Sequence, residues 1–223
     1  MEQRGNGVTI LRKKRVASID YSLYLVADAE FVGGRNLVTL IEEAVRGGVT
    51  IVQLRGKDLP FGDFLDLARK VHDMLKKRRV PLLINDRMDI AQACGAAGVH
   101  LGQEDMPPAF ARKMLTEGTI IGNSVNTLAE ALEAERAGAD YVGLGPIFPT
   151  TTKITSLPIV GTEGIRAVKG QVQIPVVAIG GITVQNAPSV REAGADGIAV
   201  VSSILGSENV RKAARQLKKA FGA

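Results

Sequence analysis

Tryptophan is absent from the 223 residues, and cysteine occurs only once, at Cys94. One cysteine excludes an intramolecular disulfide framework and any multi-cysteine zinc or iron–sulfur site. On an alanine-rich segment it reads as a small core residue, in keeping with a reducing cytosol. No stretch reaches the ~18 uninterrupted apolar residues that a spanning helix needs, so no membrane protein is expected. Phe and Tyr are few and scattered, which leaves single-stranded nucleic acid without a stacking platform. Histidine occurs twice. His72 falls in a charged helical segment and reads as a surface residue. His100 alternates away from Val99 and Leu101 and reads as a satisfied core histidine rather than a catalytic base. What is present is a core: 45% of residues are hydrophobic and 23% charged, the mix of a chain that folds.

The net charge of +5 is unevenly distributed. Arg4, Arg12, Lys13, Lys14 and Arg15 against Glu2 give residues 1–16 a net +4. Arg211, Lys212, Arg215, Lys218 and Lys219, with no acid among them, give residues 210–223 a net +5, which leaves −4 for residues 17–209. A nucleic-acid binder needs a basic face on its folded body, and this body is mildly acidic. The basic start precedes a partly apolar stretch, Val16 to Ala29, but Asp20 and Asp28 interrupt it and leave no run of signal length. The expectation is a basic arm over 1–16, a catalytic domain over 17–223, and a cytoplasmic location.

A repeated unit organises the body. Helix-like segments end in small residues and glycine and give way at once to short β-rich runs. The four runs are Gly47 to Leu54, Ala97 to Gly102, Ala137 to Gly145 and Ala193 to Val201. Glycine past a helix end supplies a left-handed cap, and the apolar run that follows suits a buried parallel strand. Between them lie four further strand candidates: Ser22 to Val26, Pro81 to Asn85, Thr119 to Gly122 and Pro175 to Ile179. Segments such as Leu37, Leu40, Ile41 and Val45 keep helical spacing. Eight strands alternating with eight helices predict either an open doubly wound sheet or a closed barrel. The strands are short and none is followed by a Gly-x-Gly-x-x-Gly fingerprint. The expected fold is therefore a single-domain (β/α)8 TIM barrel.

In such a barrel the chemistry sits in the loops after the strands. Those positions hold Gln53, Arg55 and Lys57 after the second strand, Asn85 and Asp86 after the third, and Gln103, Glu104 and Asp105 after the fourth. Ser124 and Asn126 follow the fifth, and Gly145 to Lys153 the sixth. Gly180-Gly181 follows the seventh and Ser202-Ser203 the eighth. Cations, acids and hydroxyl- and glycine-rich loops on one rim suit a phosphorylated ligand with a divalent metal. Taken singly, each has a plainer reading. Asp86 could cap the next helix, Asp105 could belong to a turn before Pro107-Pro108, and Lys153 could be solvated. Their shared rim is what favours a site. Gly180-Gly181 with Ser202-Ser203 falls where barrels bind a phosphate monoester, and the charged cluster lies across the mouth. Two phosphate sites imply two phosphorylated ligands, and so a transfer or condensation.

These runs together, Gln53-Leu54-Arg55-Gly56-Lys57, Ile84-Asn85-Asp86-Arg87, Gly102-Gln103-Glu104-Asp105, Gly145 to Thr150 with Thr152-Lys153, and Gly180-Gly181-Ile182, resemble the thiamine-phosphate synthase family from about Tyr24 to Leu205. The resemblance implies a (β/α)8 barrel that joins a hydroxymethylpyrimidine diphosphate to a thiazole phosphate, releasing diphosphate and forming thiamine monophosphate. It implies that Gln53, Arg55, Lys57 and Asn85 hold the pyrimidine diphosphate and that Asp86 and Asp105 ligate Mg²⁺. It further implies that Ser124 and Lys153 reach the diphosphate, while Thr150, Thr152, Gly181, Val201 and Ser202 hold the thiazole phosphate. Arg55, Lys57 and Lys153 are the expected catalytic cations. The pyrimidine amino group feeds electrons into the ring, so the enzyme's task is leaving-group stabilisation and alignment rather than nucleophilic attack.

The chain departs from the family after Lys153, where Ile154-Thr155-Ser156-Leu157 is unusually apolar, and at Asn123 and Asn126, which bear on packing around the pyrimidine. The alternatives are a thiazole tautomerase-like barrel that binds only the thiazole phosphate, and a non-catalytic sensor of phosphorylated ligands. The expected partners are small molecules, with no nucleic acid and no membrane; a homo-oligomer stays open.

Overall fold

Eight short strands pair in chain order, all parallel, and the last pairs with the first to close a barrel. They are β1 (Leu23–Asp28), β2 (Ile51–Arg55), β3 (Leu82–Asn85), β4 (Gly98–Leu101), β5 (Ile120–Val125), β6 (Tyr141–Leu144), β7 (Val176–Ile179) and β8 (Gly197–Val200). Closure is fixed by the register Leu23 against Ile198 and Tyr24 against Ala199. The computed structural model describes residues 19–152 and 157–223. The basic arm expected over 1–16 therefore lies outside the described residues, as do Lys153 and residues 154–156 of the apolar stretch. The barrel fold is as the alternation predicts.

Helices follow the strands: α1 (Leu37–Arg46), α2 (Phe61–Lys76), α3 (Met88–Cys94), α4 (Pro108–Met114), α5 (Leu128–Arg136), α6 (Gly161–Lys169), α7 (Ala187–Glu192), α8 (Ser202–Leu205) and α9 (Val210–Phe221). One more helix is described than the alternation predicts, because β8 is followed by the single-turn α8 before α9. Among the described residues no helix is long and apolar enough to cross a membrane.

Helix starts follow local chemistry. Asn36 accepts the Thr39 N–H ahead of α1. Thr127 and Glu130 cap one another ahead of α5 through bonds of 3.2 Å each way, and Glu130 also takes the Asn126 N–H at 2.6 Å. Replacing Thr127 with alanine is expected to cost about 1 kcal/mol, read as a lower urea midpoint with an unchanged slope.

The repeated unit has a physical cause that lies at the bottom of the barrel. Thr50, Asp140 and Asp196 each stand two residues past a left-handed glycine, Gly48, Gly138 and Gly194. Each accepts the backbone N–H of the first or second residue of the preceding strand: Leu23 at 3.2 Å, Ile121 at 2.9 Å and Val176 at 2.7 Å. Arg112 and Lys169 neutralise the two aspartates at 2.5 and 2.7 Å. The second unit is shifted from expectation. Its left-handed cap is Gly95, with φ 72°. Gly98 is already the first residue of β4, where a Cβ would stand 2.2 Å from the Ile120 carbonyl oxygen.

Strand parity divides the interior into two packed regions. Outward residues such as Leu25, Val52, Ile84, Val99 and Val142 pack beneath the helices. Inward residues, among them Tyr24, Ile51, Leu83, Ile120, Tyr141 and Val177, fill the lumen. Glycines make room for the large inward rings. A Cβ on Gly122 would lie 2.2 Å from Cζ of Tyr141, and one on Gly143 would lie 3.0 Å from Cε1 of His100.

Candidate active site

Each strand delivers its last inward residue and the loop behind it to the same mouth. A cavity of about 210 Å³ opens there. Tyr24, Val26 and Asp28 of β1 form one wall with Gln53 and Arg55 of β2; Asn85, His100, Ser124 and Tyr141 continue it, and Thr150, Thr152, Gly180 and Val201 close it. A second cavity of about 50 Å³ adjoins it, shares Thr150, Thr152, Gly180 and Val201, and adds Gly181, Ile182, Ser202 and Ser203.

The two cavities gather most of the residues expected from sequence. Gln53, Arg55, Asn85 and Ser124 line the larger, Thr150, Thr152 and Val201 line both, and Gly181 and Ser202 line the smaller. Lys57, Asp86 and Asp105 line neither cavity. Lys57 is exposed in the β2–α2 loop, and the two aspartates stand in the loops after β3 and β4. Lys153 lies outside the described residues.

The Arg55 guanidinium is positioned by acids that the sequence reading did not include. Its Nη1 donates to Asp28 at 2.6 Å and to Glu30 at 3.3 Å. Glu30 also accepts the Asp58 N–H at 3.0 Å, so it fastens the β2–α2 loop to β1. That bond, with Arg55 nearby, holds the Glu30 carboxyl below the usual carboxylate range. Asp28 was not placed at the rim because the first strand was expected to end at Val26. It runs two residues further, and its parity turns Asp28 inward.

Asp86 does not cap α3, whose cap position is Arg87 with no side-chain cap bond. Asp86 instead takes a left-handed φ of 60°, a conformation that Asp and Asn accept more readily than other side chains. Its N–H donates to the His100 carbonyl at 2.9 Å, and its Oδ2 accepts from the Asn85 amide at 2.6 Å. Asp105 folds back so that Oδ2 accepts the Gly102 N–H at 2.7 Å. The turn reading of Asp105 is thus correct, and the turn fixes its carboxylate in the loop after β4, the next loop along the chain from that of Asp86. Among the described residues no group of three or more His, Cys, Asp and Glu side chains is arranged to hold a metal. A pair of carboxylates from neighbouring loops fits Mg²⁺, which usually takes one or two carboxylates and completes its octahedron with water and substrate phosphate.

Below the rim a hydrogen-bonded chain crosses the lumen. Gln53 Nε2 donates to the Tyr24 hydroxyl at 2.7 Å, and that hydroxyl lies 2.9 Å from the Tyr141 hydroxyl. Tyr141 Oη stands 2.8 Å from His100 Nδ1, whose Nε2 is 2.9 Å from Ser124 Oγ. Burial pushes both tyrosine hydroxyls well above their ordinary pKa and so keeps them protonated. His100 is the satisfied buried histidine that the sequence reading favours. Its contact with Ser124 ties it to the site, a link that residue type alone did not reveal. Tyr24 and Tyr141 were passed over as strand residues, although they share the inward parity of Gln53 and Ser124.

The smaller cavity is built from backbone and hydroxyls. Gly181 has φ 64°, and a Cβ there would lie 2.4 Å from the Pro149 carbonyl oxygen. Thr152 Oγ1 donates to Ser202 Oγ at 2.9 Å, joining the loop after β6 to α8. Arg35 donates to the Leu205 carbonyl at the end of α8 and to Val32 O at 3.2 Å, which fastens the β1–α1 loop to the same corner. Asn126 donates to Gly145 O and Pro158 O at 2.9 and 3.2 Å, holding the β5 and β6 loops together. Asn123, by contrast, bonds the Leu101 carbonyl at 2.9 Å and does not line the cavity.

Residues 23–204 match the family model described as thiamine monophosphate synthase. Among curated proteins, the thiamine-phosphate synthase of Clostridium novyi (strain NT) is 48% identical over 199 residues, covering 89% of this chain and 98% of that one. The thiamine-phosphate synthase of Syntrophomonas wolfei subsp. wolfei is 46% identical over 200 residues, covering 90% and 96%. Among solved structures, thiamine phosphate pyrophosphorylase from Pyrococcus furiosus superposes with a TM-score of 0.84 at 39% identity, over 95% of this chain and 97% of that one. With a barrel, a charged cavity and an adjoining hydroxyl-lined one already in place, these likenesses agree over the whole described fold, and the chain belongs to the thiamine monophosphate synthase family.

Proposed function

We propose that this barrel is a transferase that joins a hydroxymethylpyrimidine diphosphate to a thiazole phosphate, releasing diphosphate and forming thiamine monophosphate. One observation carries the reading beyond family membership. A cavity ringed by Arg55, Gln53, Asn85 and Ser124 opens directly into a second lined by glycine backbone and Thr and Ser hydroxyls. Two adjoining sites of different chemistry suit two phosphorylated ligands held end to end.

The residues divide the work. Gln53 and Asn85 hold the pyrimidine, Ser124 reaches the diphosphate, and Arg55, Lys57 and Lys153 neutralise that diphosphate as charge builds on the leaving oxygens. Asp28 and Glu30 keep the Arg55 fork aimed at the cavity rather than at solvent. Asp86 and Asp105 would hold Mg²⁺, which when bound acts as a Lewis acid on the diphosphate. Thr150, Thr152, Gly181, Val201 and Ser202 hold the thiazole phosphate, with Gly181 chosen because a side chain there would meet backbone. The pyrimidine C–O bond breaks with its electron pair going to diphosphate, and the amino-substituted ring carries the positive charge. The thiazole nitrogen then supplies its lone pair to the same carbon, leaving a thiazolium. No protein nucleophile is needed, and the protein supplies alignment and charge.

The test is diphosphate release on mixing the two substrates with Mg²⁺. Release is expected only when both are present, and it should stop on adding a chelator. No release by the intact protein would overturn the reading. A barrel acting only on the thiazole phosphate releases none, and neither does a sensor. In the same assay, alanine at Lys153 or at Asp105 is expected to reduce turnover.

A further inference from the structure

The lumen chain has a direction, and the direction determines what Ser124 offers a ligand. A tyrosine hydroxyl carries one proton, and the Gln53 amide nitrogen can only donate. Gln53 donates to Tyr24, and the Tyr24 proton finds an acceptor within the chain only when it turns to Tyr141, 2.9 Å away. Tyr141 has then accepted one bond, and its own proton turns to His100 Nδ1 across 2.8 Å. A ring nitrogen that accepts is bare, which places the proton of the neutral imidazole on Nε2. That Nε2–H donates to Ser124 Oγ at 2.9 Å. Ser124 accepts from below, and its single hydroxyl proton is left for the cavity that it lines.

We propose that Tyr24, Tyr141 and His100 are positioning residues that lock His100 as the neutral Nε2–H tautomer and so present Ser124 as a hydrogen-bond donor to an acceptor atom of the pyrimidine diphosphate. The ligand part rests on the function proposed above; the tautomer part does not. The chain is well suited to hold one order of protons. The tyrosine rings are buried and packed on one another, and each hydroxyl is engaged by its neighbours in the chain. Glycine at 122 leaves room for the Tyr141 ring and glycine at 143 for the His100 ring. A buried polar chain in which every member is satisfied is rigid, and reversing it requires all its protons to move together.

Two measurements test the proposal. The first is ¹⁵N–¹H long-range NMR of imidazole-labelled wild-type protein, in which His72 is the only other histidine and serves as an internal reference. His100 is expected to show a protonated Nε2 and a bare Nδ1. A proton on Nδ1, or a doubly protonated ring, would overturn the lock. The second is kinetic. Tyr141→Phe is expected to raise KM for the pyrimidine diphosphate about tenfold, the loss of roughly one hydrogen bond. It should leave kcat and the KM for the thiazole phosphate within about twofold, the pattern of lost ground-state binding. His100→Gln, which returns a donor near the Nε2 position, is expected to keep KM near wild type, whereas His100→Leu should match Tyr141→Phe. Equal changes in both KM values, or no rescue by Gln, would reduce these residues to a structural role and overturn the proposal. If wild-type protein releases no diphosphate at all, the function proposed above fails, and the NMR result still decides the tautomer.

Discussion

Replacing Asp86 with asparagine is expected to lower turnover at least about a hundredfold at limiting Mg²⁺, equivalent to about 2.7 kcal/mol of transition-state stabilisation. Asparagine is the informative replacement because it separates charge from conformation. Asp86 holds φ 60°, where alanine would add backbone strain of about 1–2 kcal/mol and confuse a lost ligand with a distorted loop. Asparagine tolerates that region, keeps an oxygen that can accept from Asn85 Nδ2, and removes only the negative charge.

The expected pattern is therefore specific. The urea midpoint stays close to wild type, activity falls, and raising Mg²⁺ recovers part of it, because a weakened ligand set is filled at higher metal concentration. A loss that Mg²⁺ does not recover, together with a lowered midpoint, would assign Asp86 to the architecture of the β3–α3 loop and not to the metal.

Asp86 also shows where sequence reading succeeds and where it stops. The eight-fold alternation, and hence the mouth at which the loops meet, follows from periodicity alone, because parallel strands buried on both faces need apolar runs and their connections need helices. The rim residues then follow from position, and nine of the thirteen expected site residues line the two cavities. Parity inside the strands was legible too, but it was not used. Tyr24, His100 and Tyr141 stand on the same inward face as Gln53 and Ser124, and aromatic residues in a strand read as core whichever face they occupy. Asp28 was lost to a strand end placed two residues early, the usual uncertainty of an element boundary. The glycine that opens each unit was visible as a pattern, whereas the role of the residue two places on, a Thr hydroxyl or Asp carboxylate closing the start of the preceding strand, depends on which strand is the neighbour. That is a tertiary fact.

Replacing Gly181 with alanine is expected to have the largest combined effect, lowering stability by about 3 kcal/mol and raising KM for the thiazole phosphate at least about a hundredfold. The stability loss has two parts. A left-handed φ of 64° costs an L side chain about 1–2 kcal/mol. The added Cβ would also stand 2.4 Å from the Pro149 carbonyl oxygen and 2.8 Å from Cβ of Phe148. Neither atom is the free end of a flexible side chain, so relief requires moving the loop after β6 away from the loop after β7. Those two loops supply Thr150, Thr152 and Gly180 to both cavities, and their separation opens the smaller one. The pyrimidine diphosphate depends mainly on β2, β3 and β5, across the mouth, and takes only Lys153 from the displaced loop, so its KM should rise by about tenfold or less. Gly62, inside α2 with nothing within 4 Å of an added Cβ, supplies the contrast. Alanine there should stabilise the helix by up to about 1 kcal/mol and leave both KM values alone. Urea denaturation and initial rates on the two variants decide the matter. Equal loss of affinity for both substrates in Gly181→Ala would mean that the mouth deforms as a whole and that the two cavities are not independent sites.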